Sequence, residues 1–152
     1  MATINATLSV SSGDISSSGL SLTNTMTMTK AGTATGLEFT SGLIKRKLTS
    51  TTEIDLVTTG AQMYGTPTAT TSANKIYIKN TGSSSTDYIS VGLGDATTAE
   101  ELNDGTSKIT LGKLYGGEWM IIPYHGATDV GDVLVAPSTA EATTIEWMIF
   151  FE

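Results

Sequence analysis

A short stretch of the sequence, LGKLYGGEWMIIPYHG at residues 111–126, holds the only histidine of the chain, His125, and one of its two tryptophans, Trp119. An imidazole could act as the general base of a hydrolase, with Asp129 or Asp132 orienting it and a hydroxyl group as the nucleophile. No G-x-S-x-G elbow surrounds any serine, however. A histidine flanked by tyrosine and glycine is typical of a turn. We therefore interpret His125 as a turn residue and expect the chain not to be an enzyme.

Metal binding has little support in the residue types. With one histidine and no cysteine, carboxylates would have to complete any zinc site. Four acidic residues cluster at positions 95–104, and this loop could hold a calcium ion or supply the paired carboxylates of a glycosidase. It lacks the D-x-[DN]-x-[DN]-G pattern of a dedicated calcium loop. We interpret it as a solvated loop, and we expect no cofactor and no metal.

The charge balance excludes several partners. The chain has a formal net charge of −7 and only eight basic residues, and nucleic-acid binding depends on lysine and arginine neutralising phosphates. No apolar run is long enough to cross a bilayer, and the N-terminus lacks the basic start and apolar centre of a secretion signal. We therefore expect neither a nucleic-acid partner nor a membrane partner.

Composition and periodicity predict an all-β protein. Serine and threonine together number 44, against 23 charged residues, and the β-branched threonine favours a pleated surface. Apolar residues alternate with polar ones from Ile4 to Val10 and, interrupted at Asn24, between Leu20 and Lys30, which is the period of a strand with one buried face. Further short alternating runs follow at intervals of about ten residues. We predict an antiparallel, jelly-roll-like β-sandwich of about 8–10 strands, with residues 1–152 as a single domain.

Glycine and proline mark the predicted turns. Gly116 and Gly117 separate an alternating strand from the apolar run WMII, so we expect positive φ angles in a tight turn between paired strands. Pro123 ends the apolar run, because proline cannot donate to a central ladder. Gly42 is a candidate β-bulge, and the only plausible helix is a single turn within residues 97–105.

The C-terminal segment TTIEWMIFFE is apolar on both faces of a predicted strand. Trp147 belongs to one face, while Met148 and Phe150 belong to the other. The run that begins at Trp119 has the same property. We expect both segments to be inner strands whose remaining apolar surface is covered by another subunit, and we therefore favour a homo-oligomer, with a trimer preferred.

A basic triplet is the second candidate for contact with a partner. Lys45, Arg46 and Lys47 are consecutive in an alternating strand, so they cannot all point to the same side. They could dock on an acidic partner, or they could be charges that keep an edge strand from pairing with other chains. The polar segment 58–74 adds an apolar pair, Met63 and Tyr64. The predicted interface residues are Lys45, Arg46, Lys47, Met63, Tyr64, Trp147, Met148 and Phe150.

The second half of the chain resembles a known class of proteins. Its segments KIYIKNTGSSSTDYISVGLG, LGKLYGGEWMIIPY and DVLVAPSTAEATTIEWMIFFE follow one another between Lys75 and Glu152. In their order of strands and turns they are similar to the small β-sandwich structural proteins that tailed bacteriophages, particularly marine ones, encode in their morphogenesis regions. The Thr/Ser-rich first 59 residues resemble them in composition alone, and these strands could take part in contacts between subunits.

The resemblance implies a component of the virion. The leading hypothesis is a decoration or cement protein that binds the major capsid protein, or other virion proteins, on the outer surface of the capsid and stabilises the shell. A tail or neck component is the structural alternative. An alternative of another class is a carbohydrate-binding module that uses Trp119, Tyr115, Tyr64 or Tyr124 to stack on sugar rings, although the sequence predicts that Trp119 is buried.

Overall fold

The computed structural model of the chain describes residues 4–13, 20–28, 39–57, 73–94, 109–124, 132–139 and 143–151. Within these ranges every regular element is a β-strand, and the predicted helical turn at 97–105 lies outside them. The strands are β1 (Ile4–Ser12), β2 (Leu20–Met28), β3 (Phe39–Thr40), β4 (Ile44–Leu48), β5 (Ile54–Val57), β6 (Ala73–Asn80), β7 (Tyr88–Gly94), β8 (Ile109–Tyr115), β9 (Trp119–Pro123), β10 (Asp132–Pro137) and β11 (Thr143–Phe151).

The chain divides into two compact units, and β1 and β2 belong to the first. They form an antiparallel hairpin whose register runs without interruption from Ser12 opposite Leu20 to Ile4 opposite Met28. The alternation predicted for both segments is confirmed as strand. On the polar face of this hairpin the hydroxyls of Thr7 and Thr25 form a hydrogen bond of 3.1 Å.

The second unit contains the remaining described strands, in two antiparallel sheets packed as a sandwich. The four-stranded sheet has the order β5-β10-β7-β8. The five-stranded sheet has the order β3-β11-β6-β9, with β4 also paired to β11. The predicted all-β antiparallel sandwich is therefore confirmed. Gly42, with a φ of 72°, lies between β3 and β4, so the predicted bulge is instead a break between two short strands.

The core lies between the inner faces of the two sheets. β11 is the central strand of the five-stranded sheet, as the sequence predicts, and its residues Ile145, Ile149 and Phe151 are fully buried. Burying side chains of this size stabilises the fold by roughly 1.5–3 kcal/mol each. The other fully buried members of the same core cluster are Ile76, Ile78, Ile89, Val91, Val133 and Val135.

β9 differs from the sequence prediction. It pairs with β6 alone among the described strands, and Trp119 is 44% exposed, so the prediction that the tryptophan run is an inner strand was wrong. The register gives the reason. Trp119 lies opposite Lys79 on the outer face, whereas Met120 and Ile122 lie on the inner face and pack against the core. Only alternate residues of the run are needed inside, because successive side chains point to opposite faces of a sheet.

Asn80 connects the two sheets at one end of the sandwich. It is 1% exposed, and its Nδ2 donates to the carbonyl oxygen of Leu114 in β8 at 3.0 Å while its Oδ1 accepts from the Gly82 amide at 2.9 Å. Its backbone carbonyl accepts from the Gly117 amide at 2.9 Å, and its backbone amide donates to the Glu118 carbonyl at 3.0 Å. The side chain and the backbone of one buried residue thus hold the β6–β7 loop, β8 and the β8–β9 turn together.

The two glycines of the β8–β9 turn have different roles. Gly117 has a φ of 87°, which confirms the predicted positive φ at that position. Gly116 is required because the chain passes close to another loop. A Cβ atom at Gly116 would lie 2.5 Å from the backbone oxygen of Ser84 and 2.9 Å from that of Gly82. Its own amide donates to the Ser84 oxygen at 3.0 Å.

We predict that Gly116→Ala destabilises the sandwich by about 2–3 kcal/mol, because the added methyl group would lie within 3.0 Å of backbone atoms of Ser84 and Gly82. Gly112→Ala is the matched control, since a Cβ atom there meets nothing within 4 Å. It should change the free energy of unfolding by less than about 1 kcal/mol. Urea unfolding of both variants measures the difference, and equal effects would contradict the proposed close approach.

Candidate interaction surface

The residues that could have formed a catalytic or metal site lie mainly outside the described ranges. His125, Asp129 and the acidic cluster at 95–104 are among these residues, as are Met63 and Tyr64 of the predicted interface. Within the described ranges, no group of three or more histidine and acidic side chains is placed so that it could hold a metal ion. No helix in those ranges has the length and apolar character needed to span a bilayer.

One polar cleft of about 430 Å³ lies beside the Asn80 connection. Its lining residues are Asn80, Gly82, Ser83, Ser84, Asp87, Gly116 and Thr143. Asp87 is the only ionisable side chain among them. The Oγ of Ser84 accepts from the Asp87 amide at 3.0 Å and from the Thr86 amide at 3.2 Å. These bonds shape the loop, so the cleft is explained by the packing of the two loops around Asn80.

The outer face of the five-stranded sheet differs from the cleft in that it carries several lysines from different strands. Opposite residues of antiparallel strands share a face, so the register determines which side chains lie there. Glu146 of β11 lies opposite Lys45 on one side and opposite Lys79 on the other, while Thr144 lies opposite Lys47 and Phe150 opposite Lys75. Four of the eight basic residues of the chain therefore share this face, which we call the lysine face. Its members are Lys45, Lys47, Lys75, Tyr77, Lys79, Trp119, Ile121, Pro123, Thr144, Glu146, Met148 and Phe150.

Glu146 lies at the centre of the lysine face. It is 9% exposed, its Oε2 lies 3.3 Å from Lys45 Nζ, and its Oε1 accepts a hydrogen bond of 3.1 Å from the hydroxyl of Tyr77. The Lys45 side chain is 62% exposed, so this ion pair adds little to stability. Burial raises the pKa of Tyr77 above its usual value, and the hydrogen bond to Glu146 and the charge of that carboxylate raise it further.

Aromatic side chains form the β9 side of the same face. The rings of Tyr77 and Trp119 lie 6.4 Å apart between centroids and are tilted by 41°. Trp119 is 44% exposed, and Tyr77 and Ile121 are partly exposed. Aromatic rings, partly exposed aliphatic groups and lysines are thus adjacent on one sheet surface. This combination suits contact with a partner that is anionic and partly apolar.

The remaining residues of the predicted interface are distributed over both faces. Lys45 and Lys47 lie on the lysine face, whereas Arg46 lies opposite Ile145 on the inner side and is exposed because β4 is at the sheet edge among the described strands. Trp147 belongs to the core and is 7% exposed. Met148 and Phe150 are on the lysine face, with Phe150 buried and Met148 partly exposed.

Sequence reasoning did not find Lys75, Tyr77 and Lys79 as part of the same surface. A signal was present, because KIYIK places these three residues on alternate positions of β6, all on the face opposite to Ile76 and Ile78. What the local pattern does not contain is the pairing of β6 and β4 with opposite sides of β11.

No protein-family model, no curated protein and no solved structure matches this chain.

We predict that the free energy of unfolding falls at alkaline pH, in part through Tyr77. Its folded pKa is raised above the ordinary 10.0, so its contribution is complete below pH 10 and is lost as the pH rises through the folded pKa. Tyr77→Phe should therefore reduce the decrease seen in urea unfolding between about pH 9 and about pH 11. A smaller decrease should persist, since burial and the charge of Asp132 also raise the pKa of Tyr124. Identical pH profiles for the parent and the variant would contradict this role.

Proposed function

We propose that this chain is a non-enzymatic structural protein of a bacteriophage virion, and that it decorates the outer surface of the capsid shell and stabilises it. The resemblance of residues 75–152 to phage structural β-sandwich proteins supports this role. The β-sandwich itself is compatible with it, since a rigid sheet offers a broad surface for contact with a shell. The partner is the major capsid protein or another protein of the virion.

The observation that carries the proposal is the charge of the lysine face. Four lysines and one glutamate lie on it, although the chain as a whole has a net charge of −7. A face of opposite sign to the rest of the molecule orients an approaching protein, because the rest of its surface is repelled by an acidic partner. We infer that this face binds an acidic region on the outside of the shell.

The size of the face indicates how binding becomes stable. Four strands about 4.8 Å apart and between about 17 Å and about 30 Å long give an area of roughly 400–500 Å². A typical stable interface buries about 800 Å² per partner. One lysine face is therefore small for a long-lived contact, and several linked copies binding a symmetric shell would increase the overall affinity without new kinds of contact.

We predict that Lys47→Glu weakens binding to undecorated heads on the order of tenfold, because it replaces an attractive charge on the lysine face by a repulsive one. Lys113→Glu is the matched control. It makes the same change of charge at a residue of β8, in the other sheet, where Lys113 Nζ lies 4.1 Å from the centroid of the Tyr88 ring.

Cosedimentation of purified protein with heads measures both affinities, and the melting temperature of the heads reports stabilisation. The parent protein should bind in a fixed stoichiometry and raise that melting temperature. Absence of binding would overturn the decoration role. Equal weakening by the two variants would overturn the lysine face as the docking surface. Tighter binding to double-stranded DNA than to heads, with a steep salt dependence, would indicate a nucleic-acid partner instead.

A tail or neck component remains the structural alternative, and the position of the protein density in an averaged virion image distinguishes it from a capsid protein.

Carbohydrate binding is a second candidate function that one observation favours. Trp119 is half-exposed beside Tyr77, and exposed aromatic rings stack on the apolar faces of sugar rings. Of the other aromatics considered for this role, Tyr115 is 37% exposed, Tyr124 is buried and Tyr64 lies outside the described residues.

If this second function holds, a glycan array probed with the parent protein gives specific signals that Trp119→Ala abolishes. Trp119 packs outside the core, so this substitution should leave the sandwich folded. An array without signals above background would exclude the function.

A further inference from the structure

The N-terminal hairpin has one polar face and one mainly apolar face. Its uninterrupted register places serine, threonine and Asn5 on the polar face. The other face holds Ala6, Leu8, Val10, Ser12, Leu20, Leu22, Asn24, Met26 and Met28. We call this second surface the hairpin face. Only one of its central positions, Asn24 opposite Leu8, is occupied by a polar side chain.

Most of the hairpin face is accessible to solvent. The exposed fractions of its large side chains are 45% for Leu8, 38% for Val10, 40% for Leu20, 43% for Leu22 and 45% for Met26, while Met28 at its end is buried. A two-stranded hairpin is at best marginally stable in water by itself, and contiguous apolar patches on soluble proteins mark sites of association. The hairpin face therefore requires a cover.

The charge of the chain indicates what that cover is. Neither nine-residue strand contains a charged residue, so the hairpin face cannot select a charged partner. Copies of the chain each have a net charge of −7 and repel one another, and they approach most easily through a segment without charge. We propose that the hairpin face packs against the hairpin faces of other copies of this chain, around a symmetry axis.

The area of one hairpin face sets a requirement for such an assembly, and the strand edges are able to meet it. Nine residues extend about 30 Å, and two strands are about 10 Å wide, so one hairpin face covers roughly 300 Å². A stable interface needs about 800 Å² per partner, which means that the contact must extend to the strand edges as well. Neither strand contains a proline, a charge or a register shift, the features that usually prevent pairing at an edge.

Asn24 supplies a means of setting the register between copies. Its amide has both donor and acceptor groups, so amides related by a symmetry axis can hydrogen-bond to each other. A single polar residue in an otherwise apolar contact is a known way to specify alignment, because any shifted arrangement leaves the amide buried without a partner.

Two substitutions on adjacent residues of β2 test the proposal. Leu22→Asp places a charge on the hairpin face, whereas Thr23→Asp places the same charge on the polar face. Native mass spectrometry and light scattering of the full chain should give a multiple of 15.8 kDa for the parent and for Thr23→Asp, and the monomer mass for Leu22→Asp. A monomeric parent at concentrations of about 100 µM, or equal dissociation by both variants, would overturn the proposal.

Single cysteines provide a second readout that does not require a disrupted hairpin. The chain has no cysteine, so Asn24→Cys and Thr25→Cys each introduce one thiol, on the hairpin face and on the polar face respectively. Mild oxidation should form disulfide-linked dimers of Asn24→Cys at least about tenfold faster, because association raises the effective concentration of the partner thiol. Equal rates would overturn the proposal.

Self-association and head binding are separable in these measurements. Lys47→Glu alters the lysine face and should leave the mass of the parent assembly unchanged, whatever its effect on head binding.

Discussion

Burial of one layer of aliphatic side chains between two sheets holds the sandwich together. The chain has no cysteine, so no disulfide can support the fold. β11 provides the centre of this layer, because it pairs on both sides and contributes four residues to the core cluster. Asn80 adds the polar connection at one end, where its amide links β6 to β8 across the two sheets. A buried amide of this kind is stabilising only while both of its polar groups are bonded, and in this structure both are.

The inner layer also determines the chemistry of the surface. Because Ile76 and Ile78 are buried in the core, the residues between and beside them in β6 must face outward. The same alternation applies to β4 and β11. Lysines from β4 and β6 meet on opposite sides of Glu146 as a result. A positive region on an acidic protein thus follows from the same alternation that builds the core. Trp119 is exposed for the same reason, since the inner positions of β9 are filled by Met120 and Ile122.

The hairpin and the sandwich differ in whether their apolar faces are covered by another sheet of the same unit. In the sandwich each sheet has another sheet to cover its apolar face, so the unit supplies its own core. The hairpin forms a sheet of two strands with the same alternation, and five of its large apolar side chains remain 38–45% exposed. One unit thus contributes a charged surface, and the other an uncharged apolar surface. The two surfaces therefore differ in the kind of contact that each favours.

The sequence by itself determined the strand character, the positions of most turns and the alternation of apolar and polar residues along each strand. These features depend on side chains only a few positions apart. The central position of β11 could also be predicted, since TTIEWMIFF is apolar on both faces. Only the tertiary structure decided that β9 is at an edge of the described sheet, that Gly116 must lack a side chain, and that lysines from distant strands share one face. Lys45 and Lys79 become neighbours of Glu146 through pairing between segments far apart in the chain. Local periodicity gives the face of each side chain relative to its own strand, but the choice of neighbouring strand depends on how all the apolar faces are covered together.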